Sequence, residues 1–174
     1  MRLSILTFAA VSSLLLAPEA RAQYASRSLG IGAQATTSIN NSPQWAVTLE
    51  GSVYIDSGFD VYLLVPLMIT ESPTGAATAS GRGQVFGSGG SLGVRYLFLE
   101  ERIRPYVGLQ ISGLVLFTQP LVNYFFGPGA TAGADFFVSD FLSVGIRGSY
   151  DMFVELNHPL RHNLGAGLNV TTNF

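Results

Sequence analysis

The chain of 174 residues contains no cysteine and no lysine, and only 11% of its residues are charged. Soluble domains carry roughly 25% charge, so this sequence has too little to build an ordinary water-facing surface. Without cysteine, no disulfide framework can compensate for a small core, and no lipid can be attached through a thioether. Long apolar runs are missing too. Past the N-terminus the longest, Val61 to Ile69, contains Pro66 and falls far short of the roughly 20 residues a spanning helix requires. These absences exclude a bundle of membrane helices, a nucleic-acid binder and a disordered tail.

What is present is hydrophobicity at 48% and twenty glycines. Met1 and Arg2 open the chain, Leu3 to Leu16 is apolar apart from small hydroxyl residues, and Ala20-Arg21-Ala22 has the small-x-small form of a cleavage site. Residues 1–22 are therefore expected to be a secretory signal peptide, and residues 23–174 the mature domain. That domain holds seven arginines against ten acidic residues, a net charge of −3. It has no basic patch for nucleic acid or anionic lipid.

The mature sequence alternates. Eight stretches place apolar residues on one parity and small or polar residues on the other, as strands do. In one, Leu142, Val144, Ile146, Tyr150 and Met152 oppose Ser143, Gly145, Arg147, Ser149 and Asp151. The non-apolar faces are made of glycine, serine and asparagine with few charges, unlike a solvated surface. Inverting the usual sense resolves the difficulty: apolar faces meet lipid and small polar residues fill a narrow interior. Backbone polar groups find no water in hydrocarbon, so such a sheet must close. The expected fold is all-β, an eight-stranded antiparallel up-and-down transmembrane β-barrel.

The connections alternate in length as such barrels require. Residues 56–58, 99–103 and 139–141 are short, whereas Thr37 to Gln44, Thr70 to Gln84, Thr118 to Phe126 and Val154 to His162 are longer. Short turns on the inner side place both termini in the periplasm. Trp45, Phe59, Phe98, Phe117, Phe136 and Tyr150 fall at strand ends on the lipid parity and form an interface girdle. Pro66 lies within a strand and lacks a donor, so a bulge or frayed pairing is expected there.

The segments Arg104-Pro105-Tyr106-Val107-Gly108-Leu109 and Gly127 to Gly133, the hairpin Phe137 to Tyr150 and the terminal Phe174 resemble the small outer-membrane β-barrel family. Its members include OmpA-type transmembrane domains, OmpX-type proteins and opacity-type surface proteins. The resemblance implies residence in the outer membrane among phospholipid and lipopolysaccharide. It also implies that Phe174, with Thr172, Val170 and Leu168, acts as the signal for the barrel-assembly machinery, and that no peptidoglycan-binding module follows.

An eight-stranded barrel is only wide enough for its own side chains, so the lumen of this porin-like barrel is expected to be plugged and not a water-filled diffusion pore. Its charges are Glu50, Asp60, Arg95, Asp135, Arg147 and Asp151. Unpaired charge there is costly, so Arg147 is expected to pair with Glu50 or Asp135, and Arg95 with Asp60. This network is read as structural. His158 and His162, near Asp151, Glu155 and Ser149, offer the residue types of an acyl-transfer site. However, Ser149 is predicted to face the lumen, and Pro159 interrupts the helical spacing that His158-x-x-x-His162 needs to bind metal. No catalytic, cofactor or metal site is expected. The outer loops are where recognition would lie, Thr70 to Gln84 among them; the apolar segment Leu121 to Phe126 is read as an extension of the outer girdle into the headgroups, with a partner contact as the alternative. The function expected is a non-enzymatic outer-membrane barrel with a structural or surface-interaction role. The alternatives are a lipopolysaccharide-modifying enzyme and a soluble, exported, lipocalin-like ligand-binding barrel.

Overall fold

The structure is a computed structural model that describes residues 27–38, 44–71, 84–99, 102–118, 121–154 and 160–174. The expected signal segment, His158 and most of the loop Thr70 to Gln84 lie outside these residues. The eight strands are β1 (Arg27–Ser38), β2 (Gln44–Asp56), β3 (Phe59–Glu71), β4 (Gln84–Leu97), β5 (Ile103–Thr118), β6 (Leu121–Ser139), β7 (Leu142–Phe153) and β8 (Arg161–Asn173). Each pairs antiparallel with its sequence neighbour, and β1 pairs with β8 to close the barrel. At the seam Arg27 and Phe174 exchange backbone hydrogen bonds of 3.0 and 2.9 Å. Closure leaves no sheet edge with unmet N–H and C=O groups, the condition for crossing hydrocarbon.

The alternation read from the sequence divides the wall into two faces. Leu29, Ile31, Leu49, Leu92, Leu109, Ile111, Ile146 and Leu168 point outward and are exposed, Leu109 at 73%. The residues between them, among them Thr48, Glu50, Ser91, Arg95, Gln110, Thr131, Asp151 and Asn169, are buried in the interior. A continuous apolar exterior around a polar interior is the inverse of a soluble barrel, and it makes hydrocarbon the solvent of this wall.

One end of the barrel carries tight turns. Between β2 and β3, Ser57 and Gly58 have φ of 54° and 86°, the two positive values of a type I′ hairpin turn. A Cβ on Gly58 would lie 2.9 Å from the Leu97 carbonyl oxygen, and its N–H donates to the Tyr54 hydroxyl at 2.9 Å. The β6–β7 turn is Asp140–Phe141, and a register irregularity lies next to it between Phe137 and Ser139. Phe59, Tyr96 and Phe98 form an aromatic cluster on the outside of this end, with ring centroids 5.1 and 5.4 Å apart. At the opposite, loop end Phe86 stacks on Phe117 at 6.0 Å, and Trp45 is exposed.

Two loop boundaries are corrected here. Thr118 to Phe126 is not a loop: β6 begins at Leu121, and Leu121 to Phe126 pairs with Gly113 to Thr118 of β5. The apolar side chains follow strand parity, with Val122, Tyr124 and Phe126 outward and Phe125 buried inside. They are wall, extended beyond the glycine-rich stretch, and not loop contacts. Likewise His162 belongs to β8, where it pairs with Met152. At Pro66 the expected disturbance takes the form of interrupted pairing, without a bulge: pairing of β3 with β4 stops at Leu64–Ser91 and resumes at Leu67–Ser88 in the same register. Proline has no donor to offer at that point, and Ser88 Oγ donates to its carbonyl at 3.3 Å instead.

Candidate functional site

The interior polar groups assemble into one layered network. Arg95 on β4 faces Asp60 across the β3–β4 ladder. Its Nε donates to Asp60 Oδ2 at 2.7 Å, and Nη2 approaches the same oxygen at 2.7 Å. Its Nη1 reaches Glu50 Oε1 at 3.0 Å and lies 3.9 Å from Asp135 Oδ2. The second oxygen of Glu50 lies 2.7 Å from Nη2 of Arg147. That contact misses hydrogen-bond alignment, so it acts mainly through charge. Glu50 therefore bridges two guanidiniums, one oxygen to each.

Two tyrosines complete this layer. Tyr62 and Tyr106 are the most deeply buried large side chains, each 1% exposed. The Arg95 guanidinium carbon lies 5.5 and 4.9 Å from their ring centroids, and that of Arg147 lies 5.3 Å from the Tyr62 ring. Such contacts stabilise a desolvated cation by roughly 2 kcal/mol. Glycine makes room for the rings: a Cβ on Gly93 would fall 2.6 Å from Tyr62, and one on Gly133 within 2.5 Å of the Tyr106 hydroxyl.

Above this layer the network continues through neutral groups. The Tyr62 hydroxyl donates to Gln110 Oε1 at 2.6 Å, and Gln110 Nε2 donates to Asp151 Oδ1 at 2.6 Å. Ser112 Oγ donates to the same Asp151 oxygen at 2.7 Å and lies 2.9 Å from Ser91 Oγ. Asp151, expected among the ionic partners, is thus bound by an amide and a hydroxyl. Arg147 lies with Glu50 and Arg95 with Asp60, Glu50 and Asp135. Strand parity also brings in Arg104, which was not among the expected lumen charges. It is buried, stands opposite Asp135 in the β5–β6 ladder, and covers the Phe137 ring at 4.1 Å.

Two small cavities lie along the interior. One, of about 30 Å³, lies towards the turn end among Asp60, Arg95, Arg104 and Asp135. The other, of about 50 Å³, lies towards the loop end among Gln110, Arg147, Asp151 and Leu114. At roughly 10–15 Å³ per water, each holds only a few molecules. Near the loop end the lining turns apolar: Leu116, Phe125 and Phe153 form a buried cluster with Leu114 packed against it. Leu64 and Met68 are also buried. This collar had no counterpart in the sequence reading because a lone apolar residue on the polar parity carries no periodic signal.

Of the two histidine candidates, His162 is described, and it does not converge with the serine. His162 Nδ1 lies 2.6 Å from the Tyr150 hydroxyl, and the two rings stack at 5.9 Å. Tyr150, like Leu164 and Ile146, lies on the outward parity. Ser149 is buried inside and accepts a hydrogen bond from Gln34 Nε2 at 3.1 Å. The barrel wall therefore stands between Ser149 and His162. Among the described residues no group of three or more His, Cys, Asp or Glu side chains is arranged to hold a metal.

No protein-family model and no curated protein sequence matches the chain. Solved structures do. Neisserial surface protein A superposes with a TM-score of 0.60 at 11% identity, over 85% of this chain and 96% of that one. OprG from Pseudomonas aeruginosa gives 0.60 at 10% identity over 87% and 97%. Ail, the attachment invasion locus protein of Yersinia pestis, gives 0.53 at 11% over 86% and 97%. At these identities the likeness is one of backbone architecture, with side chains free to differ. The closed antiparallel topology, the apolar exterior and these superpositions together give the chain the fold of the small eight-stranded outer-membrane β-barrels.

Proposed function

We propose that the protein is a non-enzymatic barrel of the bacterial outer membrane, with a plugged lumen, both termini in the periplasm and its long loops presented outside. The observation supporting this reading is the Glu50–Arg95–Arg147–Asp60 layer, buried inside the barrel with Tyr62 and Tyr106. Short turns at one end and longer connections at the other support the orientation, because outer-membrane barrels carry short turns on the periplasmic side and longer loops outside. In this reading residues 1–22 direct export and are removed, and Phe174 is read by the barrel-assembly machinery. The loops, in a membrane of phospholipid and lipopolysaccharide, carry the surface interaction.

Ail has been crystallised with a heparin analogue, sucrose octasulfate. The longer connections of the present chain carry a single arginine, Arg82, so a polyanion is not the ligand this surface favours. The plug is tested by single-channel recording of the purified protein in planar lipid bilayers. The expected result is no sustained conductance at moderate voltage. A stable open level in most insertions overturns the plugged-lumen reading. Orientation is tested by protease treatment of intact cells, with cleavage expected in the Thr70 to Gln84 loop and not between Leu99 and Ile103. Lipid A of identical acylation in wild-type and deletion strains is the result expected of a non-enzyme.

A further inference from the structure

The outer wall is not evenly filled. Most outward positions carry Leu, Ile, Val or Phe, but across β4 to β8 the wall holds an apolar groove of about 800 Å³. Ala130, Ala132 and Gly148 line its floor, and Leu109, Tyr150 and Leu164 stand beside them. It runs obliquely from Tyr96, close to the turns, to Tyr150 and Leu164, close to the loops. Crossing from β4 to β8 at about 4.8 Å per strand gives it a length of roughly 19 Å.

The packing of the barrel does not demand this hollow. Inside the lumen, glycines such as Gly93 and Gly133 leave room for a tyrosine that a Cβ would strike. Gly148 is different: a Cβ there would lie 3.7 Å from the Ala132 carbonyl oxygen, an ordinary contact. Its ladder partners, Ala132 and Ala166, are also small and outward. A larger apolar side chain fits at Gly148, so the open space is available to a molecule outside the chain.

The groove is continuous with the lipid-facing wall, and its occupant is therefore a hydrocarbon chain. One leaflet supplies about half of the ~30 Å hydrocarbon core, so a groove of this length takes a single acyl chain laid obliquely. The loop-end rim adds a polar handle. The Tyr150 hydroxyl lies 2.6 Å from His162 Nδ1 with the two rings stacked, and His162 shares the outward parity of Leu164. When Nδ1 accepts the tyrosine proton, Nε2–H is a donor for a partner outside the chain. A neutral donor beside an apolar groove suits the carbonyl that heads an acyl chain, and needs no basic patch.

We propose that this groove is a binding site for lipid A, with one acyl chain lying over Ala130, Ala132 and Gly148 and the carbonyl at its head hydrogen-bonded by His162. The choice of lipid A rests on the orientation proposed above, which puts the loop end in the lipopolysaccharide leaflet. The bound lipid is retained one per barrel, unlike the exchanging lipid around the rest of the wall.

The test is native mass spectrometry of the full-length protein in nonionic detergent, offered purified lipid A, phosphatidylglycerol or phosphatidylethanolamine. Wild type is expected to keep one lipid A per barrel after detergent exchange and to bind either phospholipid about tenfold more weakly. Ala132→Leu with Gly148→Leu, which fills the groove, is expected to lose the adduct. Gly51→Leu adds similar bulk on the outward parity of β2, where a Cβ would lie 3.9 Å from the Ser28 carbonyl oxygen, and is expected to keep it. His162→Ala is expected to weaken lipid A binding about tenfold. An absent adduct in wild type, an adduct that survives filling of the groove, or phospholipid binding as tight as that of lipid A overturns the proposal. If the double variant does not fold, Ala132→Leu alone is set against Gly51→Leu, and equal retention by the two refutes the site. Protease treatment of intact cells reports orientation independently, so a reversed barrel and an empty groove are told apart.

Discussion

Gly93 shows how tightly the interior is composed. Its missing side chain is the space occupied by the Tyr62 ring, and the Leu109 carbonyl lies 2.7 Å from where a Cβ would be. Gly93→Val therefore forces either the backbone or the most buried ring to move. A loss of about 1–3 kcal/mol is expected, measured as a lower urea midpoint in detergent with the β-sheet spectrum kept. Arg147 makes the complementary case. Removing its guanidinium leaves Glu50 with Arg95 alone and takes a partner from the Tyr106 hydroxyl, to which Arg147 Nε donates at 3.3 Å. Breaking a buried pair costs about 3–5 kcal/mol, so Arg147→Ala is expected to lower the temperature at which the folded gel band is lost. An unchanged transition would show that the network does not hold the barrel together.

Among the elements, the β2–β3 hairpin depends most on a single residue. Gly58 adopts φ of 86°, beside the Leu97 carbonyl of β4. An L side chain in the left-handed region costs roughly 1–2 kcal/mol, and here it also meets a neighbouring strand. Gly58→Ala is expected to slow refolding from urea into micelles and to lower stability by about that amount or slightly more, read from folding kinetics on gels. The same element illustrates what sequence makes visible. Asp56-Ser57-Gly58 is legible as a turn because glycine between alternating stretches has a local meaning. The start of β6 is not. Leu121 to Phe126 looks like an apolar loop until its partner, Gly113 to Thr118, is known. Pro66 falls between these cases: its missing donor is plain in the sequence, but that the ladder skips and then resumes in the same register is seen only in the structure.

For the whole molecule, the exterior decides the solvent. An unbroken apolar wall, with Leu29, Ile31, Leu109, Leu164 and Leu168 exposed, cannot remain dispersed in water. The protein is expected to stay monodisperse in micelles and to precipitate or aggregate when detergent is removed, as followed by size-exclusion chromatography. A monomer in buffer alone would instead support the soluble, lipocalin-like barrel.

The eight alternating stretches, their polarity and the alternation of short and long connections are local properties, so the sequence by itself determined a closed transmembrane barrel. It also placed Glu50, Asp60, Arg95 and Arg147 inside, because parity assigns each residue to a face. What parity does not contain is the stagger between strands, and only closure sets it. Closure brought Glu50 of β2 between Arg95 of β4 and Arg147 of β7, laid Tyr62 and Tyr106 against both guanidiniums, and carried Asp151 to Gln110 and Ser112 of β5. It also gathered Leu116, Phe125 and Phe153 into one apolar collar. Side chains from distant strands meet across a lumen only at heights fixed by the register of the whole ring, a quantity that no single strand encodes.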